Sequence, residues 1–566
     1  MAQMESCYQY KSLPSENCIR LLELYPGQAD DTLDCTLRQA ELENAPKYEA
    51  ISYAWGDPTN KVDVLCDGKI ITATQNLKDA LVRFKLKDRS RFVWADAICI
   101  NQNDDVEKGS QVKLMNRIYA NATRVCAWLG WATVQMQPAF EFIDEIEFHS
   151  SPTSTRQAEL PVPASECWSA LAIFFSAAWF NRLWVVQEVY GHACTVFCGD
   201  YEIPWKNIVL VARLLLKLRI NDPSVYSLPE NAISALQIDS AGDRSASSDI
   251  MDTFRHFHCS DQRDRVYALL SFPPLCGLRP LIQPDYSKTV VQVFEEVAVR
   301  IFLSSQNLGL LSSVEHDCAI DENWPSWVPR LDRQRQTQIL HKYTSGRVQS
   351  SLPVIQHTPK ILISKGVRIS MLSWCGVVIG GAPHGKSGMN LLKQPLQEWL
   401  SKYLPIIAHP TDSLLLCIAM TLTVGLDLHS NCPPLDLSRF RLDFLAYLVG
   451  ILPSLHLPHT ARHVLEVLAE PGLAGNSSNY YAAAVRGCKN KRIFSTQTGE
   501  FGIGPGAAQT GDHIALLYGG NAPCVLRPKG LYYQFVGECY LHQHMHGEAI
   551  EMLARGLFAV EEFEMR

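Results

Sequence analysis

Between residues 48 and 129, short apolar segments typical of β-strands alternate with segments whose apolar residues have helical spacing. The strand-like segments are residues 48–54, 92–100 and 125–129, and the helical ones are residues 76–84 and 106–120. Such alternation favours a parallel sheet, because each helix carries the chain back to start the next strand in the same direction. We therefore predict an α/β domain with a mainly parallel sheet flanked by helices.

The chain of 566 residues is too long for one compact domain. Hydrophobic residues make up 47% of it and charged residues 19%, so it can bury several large cores. We predict that residues 1–235 contain the α/β domain together with N-terminal strands. A helical extension over 236–345, a variable and mostly helical region over 346–490, and a small β-rich region over 491–566 are expected to follow.

Charge and apolar patterning narrow the classes of protein to which the chain can belong. The net charge of -7 without a basic run gives no support for nucleic-acid binding. The longest apolar run, residues 414–426, is too short to span a bilayer and predicts a buried helix. The first ten residues lack the apolar core of a signal peptide, and the 18 cysteines include no CxxC pair. We therefore expect a cytoplasmic protein with reduced thiols.

Three aromatic-rich motifs occur in the first 190 residues. The first, YEAISYAWGD, contains Tyr48, Ser52, Tyr53, Trp55, Gly56 and Asp57; the second, WADAICINQ, contains Trp94, Asp96, Cys99, Ile100, Asn101 and Gln102; the third, WFNRLWVVQEV, contains Arg182, Trp184, Gln187 and Glu188. In this order they resemble the motifs of the fungal heterokaryon-incompatibility (HET) domain. Residues 260–270, 284–287, 325–329 and 536–540 resemble elements that usually follow that domain.

The resemblance implies a role in the vegetative incompatibility of filamentous fungi. In that process, fusion of genetically different hyphae triggers programmed cell death, and the HET domain is the signalling module. The implied partner is another protein or a second copy of the chain. We expect the chain to have no membrane span and to require no cofactor.

The HET domain is itself similar to the Toll/interleukin-1 receptor (TIR) domain, some members of which hydrolyse NAD. The catalytic glutamate of those hydrolases falls on Glu188, with Trp184 one helical turn before it, while Val185 stands where they have a cysteine. A carboxylate near the ribose can stabilise the positive charge that develops when nicotinamide leaves. The resemblance thus makes NAD a possible substrate, with Trp184 or Trp55 stacking on the base.

Two carboxylates have competing interpretations. Glu188 is either catalytic or a structural carboxylate tied to Arg182 or Arg124. Asp96 follows a predicted strand, at the place where α/β sheets bind ligands, but it could equally cap the backbone amides of the next loop. If both residues are structural, the domain is a non-catalytic recognition scaffold.

Two further patterns point to other ligands. Gly380–Ser387 fits the phosphate-loop pattern GxxxxGKS, and the alternative is a glycine-rich surface loop. His542, His544 and His546 alternate in a predicted terminal strand and, with Glu548, are compatible with zinc. We favour a histidine row without a metal ion for the second pattern.

Overall fold

The computed structural model describes residues 7–566 apart from 29–32, 58, 151–164, 222–228, 244–246, 317–318, 338–339, 341–342, 344, 347–355, 359, 381–390, 404–411, 458–461, 463–465 and 467–473. The chain divides into two compact units, Met1–Val290 and Val291–Arg566. The loop predicted at 150–162 and the phosphate-loop pattern Gly380–Ser387 lie outside the described residues, except for the first residue of each.

The first unit is built on one sheet with helices around it. Its strands are β1 (Cys18–Leu24), β2 (Asp34–Glu41), β3 (Glu49–Tyr53), β4 (Lys61–Cys66), β5 (Lys69–Thr74), β6 (Arg91–Trp94), β7 (Val125–Trp128), β8 (Cys194–Cys198) and β9 (Tyr201–Pro204). Its helices are α1 (Gln75–Phe84), α2 (Asp96–Cys99), α3 (Asp105–Asn121), α4 (Gln137–Ser150), α5 (Glu166–Phe175), α6 (Leu183–Val189), α7 (Trp205–Asn221), α8 (Glu230–Asp239), α9 (Ser247–Thr253), α10 (Asp264–Tyr267) and α11 (Pro273–Cys276).

The strand order is β5-β4-β2-β1-β6-β3-β7-β8-β9. Strands β6, β3, β7 and β8 are parallel neighbours, as the alternation of strands and helices predicts. The sheet as a whole is mixed, because β1 pairs antiparallel with β2 and β6, β4 with β5, and β8 with β9. Two of these pairs are hairpins on short turns, which can only join antiparallel strands. The prediction of a mainly parallel sheet therefore holds for its central strands only.

The predicted strand over residues 92–100 ends early. Strand β6 stops at Trp94, and the second half of the apolar run is α2. The Asp96 carboxylate accepts a hydrogen bond from the amide of Ala97 at 2.8 Å, and Ile98 and Cys99 point into the core. A short and mostly apolar run has the same composition in either conformation, so its periodicity could not separate strand from helix.

The second unit contains helices and a second sheet, and α12 (Val290–Ser305) begins at the boundary. Its strands are β10 (Gln356–Thr358), β11 (Ile361–Val378), β12 (Lys491–Thr496), β13 (Phe501–Pro505), β14 (His513–Leu517), β15 (Cys524–Lys529), β16 (Tyr532–Glu538), β17 (Tyr540–Leu541) and β18 (Val560–Met565). Its remaining helices are α13 (Lys393–Tyr403), α14 (Asp412–Leu422), α15 (Leu437–Ile451), α16 (Ser477–Cys488) and α17 (Glu548–Ala554).

Strand β11 organises this second sheet and was missed in the region predicted to be mostly helical. It pairs with β18, β14 and β12 along its length, and the β14-β15-β16-β18 pairings close a ring back onto it. Its pairing register shifts at three places, which breaks the strict alternation that identifies strands. The β-rich prediction for residues 491–566 is confirmed.

The predicted histidine strand is wrong. Strand β17 ends at Leu541, and His542–His544 form a 3-10 helix. His544 bonds through Nε2 to the Glu500 carboxylate at 2.9 Å. In the described part of the chain, no group of three or more metal-ligating side chains could hold an ion, and no helix there is long and apolar enough to cross a membrane.

A buried ion pair ties the N-terminal strand to the second motif. The Arg20 guanidinium, 1% exposed on β1, donates to both carboxylate oxygens of Glu107 at 2.6 and 2.9 Å. It also donates to the carbonyl of Cys99 at 3.1 Å, and Glu107 accepts from the amide of Asn101 at 2.7 Å. Removal of one partner would leave the other charge buried and unpaired.

We expect Glu107→Ala to lower the free energy of unfolding by about 3–5 kcal/mol, because Arg20 would keep its charge in the core. Urea denaturation of the full chain measures this. The matched control is Glu43→Ala, which removes an exposed pair with Arg117 at 3.2 Å and should cost under about 1 kcal/mol. Equal effects of the two variants would contradict the role assigned to the buried pair.

Candidate functional site

A cavity of about 510 Å³ opens in the first unit beyond the carboxyl ends of β3 and β6. Ligands of α/β proteins bind at this edge of the sheet, because the loops that follow neighbouring parallel strands meet there. The cavity is lined by Ala54, Trp55, Gly56, Asp96, Ile100, Gln102, Lys108, Val112, Met115, Ala178, Arg182, Trp184, His258, Cys259, Ser260, Asp261, Asp264 and Tyr286. Each of the three motifs therefore contributes residues to the lining of this cavity.

Asp96 is fixed at the mouth of the cavity. Its carboxylate accepts hydrogen bonds from the Tyr53 hydroxyl at 3.0 Å and from the Trp55 indole at 2.9 Å, as well as from the amide of Ala97. Gln102 donates to its carbonyl at 3.0 Å and closes the loop. The carboxylate thus accepts from a backbone amide of α2 and also faces the cavity.

Trp55 and Trp94 have different environments, although both occur in motifs. Trp94 is fully buried, as expected of a core residue, whereas Trp55 is 39% exposed. The indole of Trp55 lies at the cavity, where it could contact a planar ligand. Gly56, which follows it, has a φ of +74°, a left-handed conformation that glycine adopts without strain.

A second carboxylate, Asp264, forms the opposite part of the lining. It accepts from the Tyr286 hydroxyl at 2.7 Å and from the Trp184 indole at 3.0 Å. Burial raises the pKa of Asp264 to about 6, although these two donors act against the shift. Trp184 therefore lines the cavity, and its indole nitrogen already donates to a protein carboxylate.

Glu188 does not line the cavity. Its side chain is 2% exposed, and it accepts a short hydrogen bond from the Ser52 hydroxyl, which in turn accepts from the Trp179 indole at 2.7 Å. Burial raises the pKa of Glu188 to about 7, while the nearby charge of Arg182 opposes the rise. The protonated and ionised forms of this carboxyl are therefore both populated near neutral pH.

The two arginines considered as partners of Glu188 have other contacts. Arg182 donates to the carbonyl of Tyr53 and lines the cavity, and Arg124 pairs with Glu49 at 2.7 Å. The structure thus places Glu188 in the core behind the first motif, with its hydrogen bond to Ser52 rather than an ion pair to Arg124.

Most other motif residues hold the loops in place. The Tyr48 hydroxyl donates to the carbonyl of Ile118 at 2.5 Å, and Asp57 accepts from the amide of Thr59 at 2.8 Å. Cys99, Ile100 and Gln187 are buried, while Asn101 forms part of the loop closed by Glu107. Their role is to fix the backbone from which Trp55 and Asp96 project.

Sequence reasoning missed the contribution of the segment from His258 to Tyr286. It supplies Asp261, Asp264 and Tyr286 to the cavity, and all of them lie beyond the boundary predicted at residue 235. The signal was present, because residues 260–270 and 284–287 were recognised as recurring elements, but nothing in their spacing linked them to Trp184. Lys108 completes this side with its ammonium 4.2 Å from the centre of the Tyr286 ring.

The lining combines aromatic, acidic and basic groups. Asp96 and Asp261 offer negative charge, Arg182 and Lys108 offer positive charge, and Trp55 offers an exposed ring. Burial raises the pKa of the Cys259 thiol to about 11, so it stays protonated and is a weak nucleophile. The arrangement suits an aromatic ligand with polar substituents, and a carboxylate is available beside it.

Comparison with known proteins identifies two regions. Residues 48–188 match the family described as heterokaryon incompatibility protein (HET), and residues 461–559 match the Het-6 beta-barrel domain. The chain is 24% identical to "Heterokaryon incompatibility protein 6, OR allele" of Neurospora crassa, in an alignment that covers 95% of each chain. No solved structure matches significantly. The resemblance to HET-domain proteins inferred from the motifs is confirmed.

The raised pKa values predict that stability falls with rising pH. A carboxyl whose pKa is raised in the folded state stabilises that state fully below its ordinary pKa, 4.5 for Glu188, and loses this effect as the pH passes about 7. Asp264 acts in the same direction between 3.8 and about 6. We expect Glu188→Gln to flatten this dependence and to be more stable than the wild type at pH 8 by about 3 kcal/mol.

Urea unfolding between pH 4 and 8, followed by tryptophan fluorescence, measures the effect. Asp200→Asn is the control, because the side chain of Asp200 is fully exposed. Parallel curves for the wild type and Glu188→Gln would contradict the burial of an ionisable carboxyl at this position.

Proposed function

We propose, from the match of residues 48–188 to the HET family, that this chain is a heterokaryon-incompatibility-type signalling protein of a filamentous fungus whose HET domain triggers cell death on non-self recognition. One observation carries the proposal. A HET region and a Het-6 beta-barrel region occur in a single chain, and that chain aligns over 95% of its length with an incompatibility protein of Neurospora crassa.

The first unit offers a surface through which a protein partner, or a second copy, could act in the cytoplasm. Trp131 and Val134 follow β7 and are 53% and 90% exposed. Large apolar side chains at this level of exposure, and tryptophan above all, are typical of protein interfaces. Recognition at this surface would bring first units together and start the signal.

The test is induced expression of the full chain in a filamentous fungus, either alone or after fusion with a strain that carries a different allele. We expect expression to increase the fraction of dead cells, measured as cells that take up a membrane-impermeant dye. Trp131→Ala should reduce this fraction strongly while leaving the amount of protein unchanged, because it removes an exposed interface residue. Val106→Ala, at a position 81% exposed on α3, serves as the matched control. Absence of death in every pairing would refute the proposal.

A second candidate function is hydrolysis of NAD in the cavity of the first unit. The observation that favours it is the convergence of Trp55, Trp184, Asp96 and Arg182 on one cavity at the carboxyl ends of parallel strands. In the reaction, the bond between nicotinamide and C1 of the ribose breaks, nicotinamide leaves as a neutral base, and water adds to C1. A carboxylate close to C1 stabilises the positive charge of the transition state.

The two candidate carboxylates differ in access. Asp96 faces the cavity in the structure, whereas Glu188 lies outside the cavity lining and is held by its hydrogen bond from Ser52. Asp96 is therefore the better placed of the two, and Glu188 stays the candidate that the TIR resemblance implies.

Incubation of the full chain with NAD, followed by chromatography of nicotinamide and ADP-ribose, tests this candidate. If Asp96 is the catalytic carboxylate, we expect Asp96→Asn to lower turnover by about 100-fold or more, and Glu188→Gln to change it by much less. The reverse order would assign catalysis to Glu188. If the wild type releases no nicotinamide at any concentration, the first unit is a non-catalytic recognition scaffold.

A further inference from the structure

We propose that the second unit binds a small phosphomonoester, of the size of a nucleoside monophosphate, in a cavity between β16, the Lys360 turn and the segment 322–325. The cavity measures about 440 Å³, which suits a ligand of that size. Its wall includes Trp324, Lys360, Lys529, Tyr532, Gln534 and Arg566. The site is separate from the cavity of the first unit and does not depend on the function proposed for that unit.

The first observation is uncompensated positive charge. Lys360 and Lys529 line the cavity, and neither has a carboxylate partner among the residues that the structure describes. Arg566 adds a guanidinium, which pairs with Glu564 at 2.6 Å and lies 4.8 Å from the centre of the Tyr532 ring. Because Glu564 compensates Arg566, the two lysines carry the excess positive charge, and Glu322 is the one acidic side chain of the described lining. The balance favours an anionic ligand.

The second observation is an amide in the lining that is free to bond to a ligand. Gln534 lies on β16 and is 8% exposed, and its carboxamide makes no hydrogen bond to any described residue. The residue lines the cavity, where its amide can bond to a ligand or to water. A phosphate oxygen can accept from the amide nitrogen.

The third observation is the fixed position of Lys360. Its φ is +67°. This left-handed conformation is energetically unfavourable for any residue other than glycine. Two contacts hold it there: its amide donates to the Glu295 carboxylate at 2.6 Å, and its carbonyl accepts from the Trp327 indole at 3.3 Å. The backbone that carries the Lys360 side chain is therefore fixed before a ligand binds, which lowers the entropy lost on binding.

Phosphate fits this set of groups better than a carboxylate does. A phosphomonoester has a charge between about −1.5 and −2 near neutral pH and three acceptor oxygens, enough for two ammonium groups and one amide donor. The Tyr532 ring and Pro325 supply the apolar surface against which the organic part can rest. Inorganic phosphate would contact only the cations and the amide, without the apolar surface, and should bind more weakly than a phosphomonoester.

Isothermal titration of the full chain with AMP and, separately, with inorganic phosphate tests the proposal. We expect saturable binding of AMP, weaker binding of phosphate, and a loss of affinity of about tenfold or more in the double variant Lys360→Ala/Lys529→Ala. Lys365→Ala is the control, because Lys365 is an exposed lysine of β11 outside the cavity.

Gln534→Leu separates a binding role from a structural one. If the amide serves a ligand, this variant should bind AMP several-fold more weakly, while its melting temperature without ligand stays the same, because the amide has no hydrogen bond to a described residue to lose. AMP should raise the melting temperature of the wild type more than that of Gln534→Leu. Absence of saturable binding up to millimolar AMP and phosphate, or an equal loss of affinity in Lys365→Ala, would overturn the proposal.

Discussion

The Ser52 hydroxyl holds the first and third motifs together inside the first unit. It accepts a hydrogen bond from the Trp179 indole and donates one to the Glu188 carboxylate, and all three side chains are buried. A hydroxyl can do both because it carries one proton and two lone pairs. From this junction the chain leads outward in both directions, through Tyr53 to the cavity on one side and along α6 to Trp184 on the other.

The two carboxylates of the cavity differ from Glu188 in their access to a ligand. Asp96 is held by two aromatic donors at the mouth, Asp264 is buried against Trp184 and Tyr286, and Glu188 lies behind the wall. Environments that separate the protonation of neighbouring carboxyls are also those that assign them different tasks. Burial raises the pKa of Asp264 to about 6 and that of Glu188 to about 7, so these two buried carboxyls lose their protons at different pH values.

Local patterns were enough to predict those parts of the fold that local forces determine. The helices α1 and α3 follow from apolar spacing. Strand β11 escaped prediction because its pattern is set by four neighbours at different registers. Helix α2 escaped prediction because four residues are too few to show a helical period. The sequence located Trp55, Asp96 and Trp184, but their meeting with Asp264 and Tyr286 is a long-range contact without a local signal.

The cavity of the first unit is completed by residues that lie outside the region that matches the HET family. The matched region ends at Glu188, whereas Asp264 and Tyr286 come some 80 to 100 residues later and bond to Trp184 or to each other. Genetic exchange between alleles with a crossover in the interval 190–257 would therefore pair one parent's motifs with the other parent's cavity wall. Descendants of such a crossover would keep the three HET motifs of one parent and combine them with new cavity residues, so the lining of the cavity can change by recombination without a change in any of those motif residues.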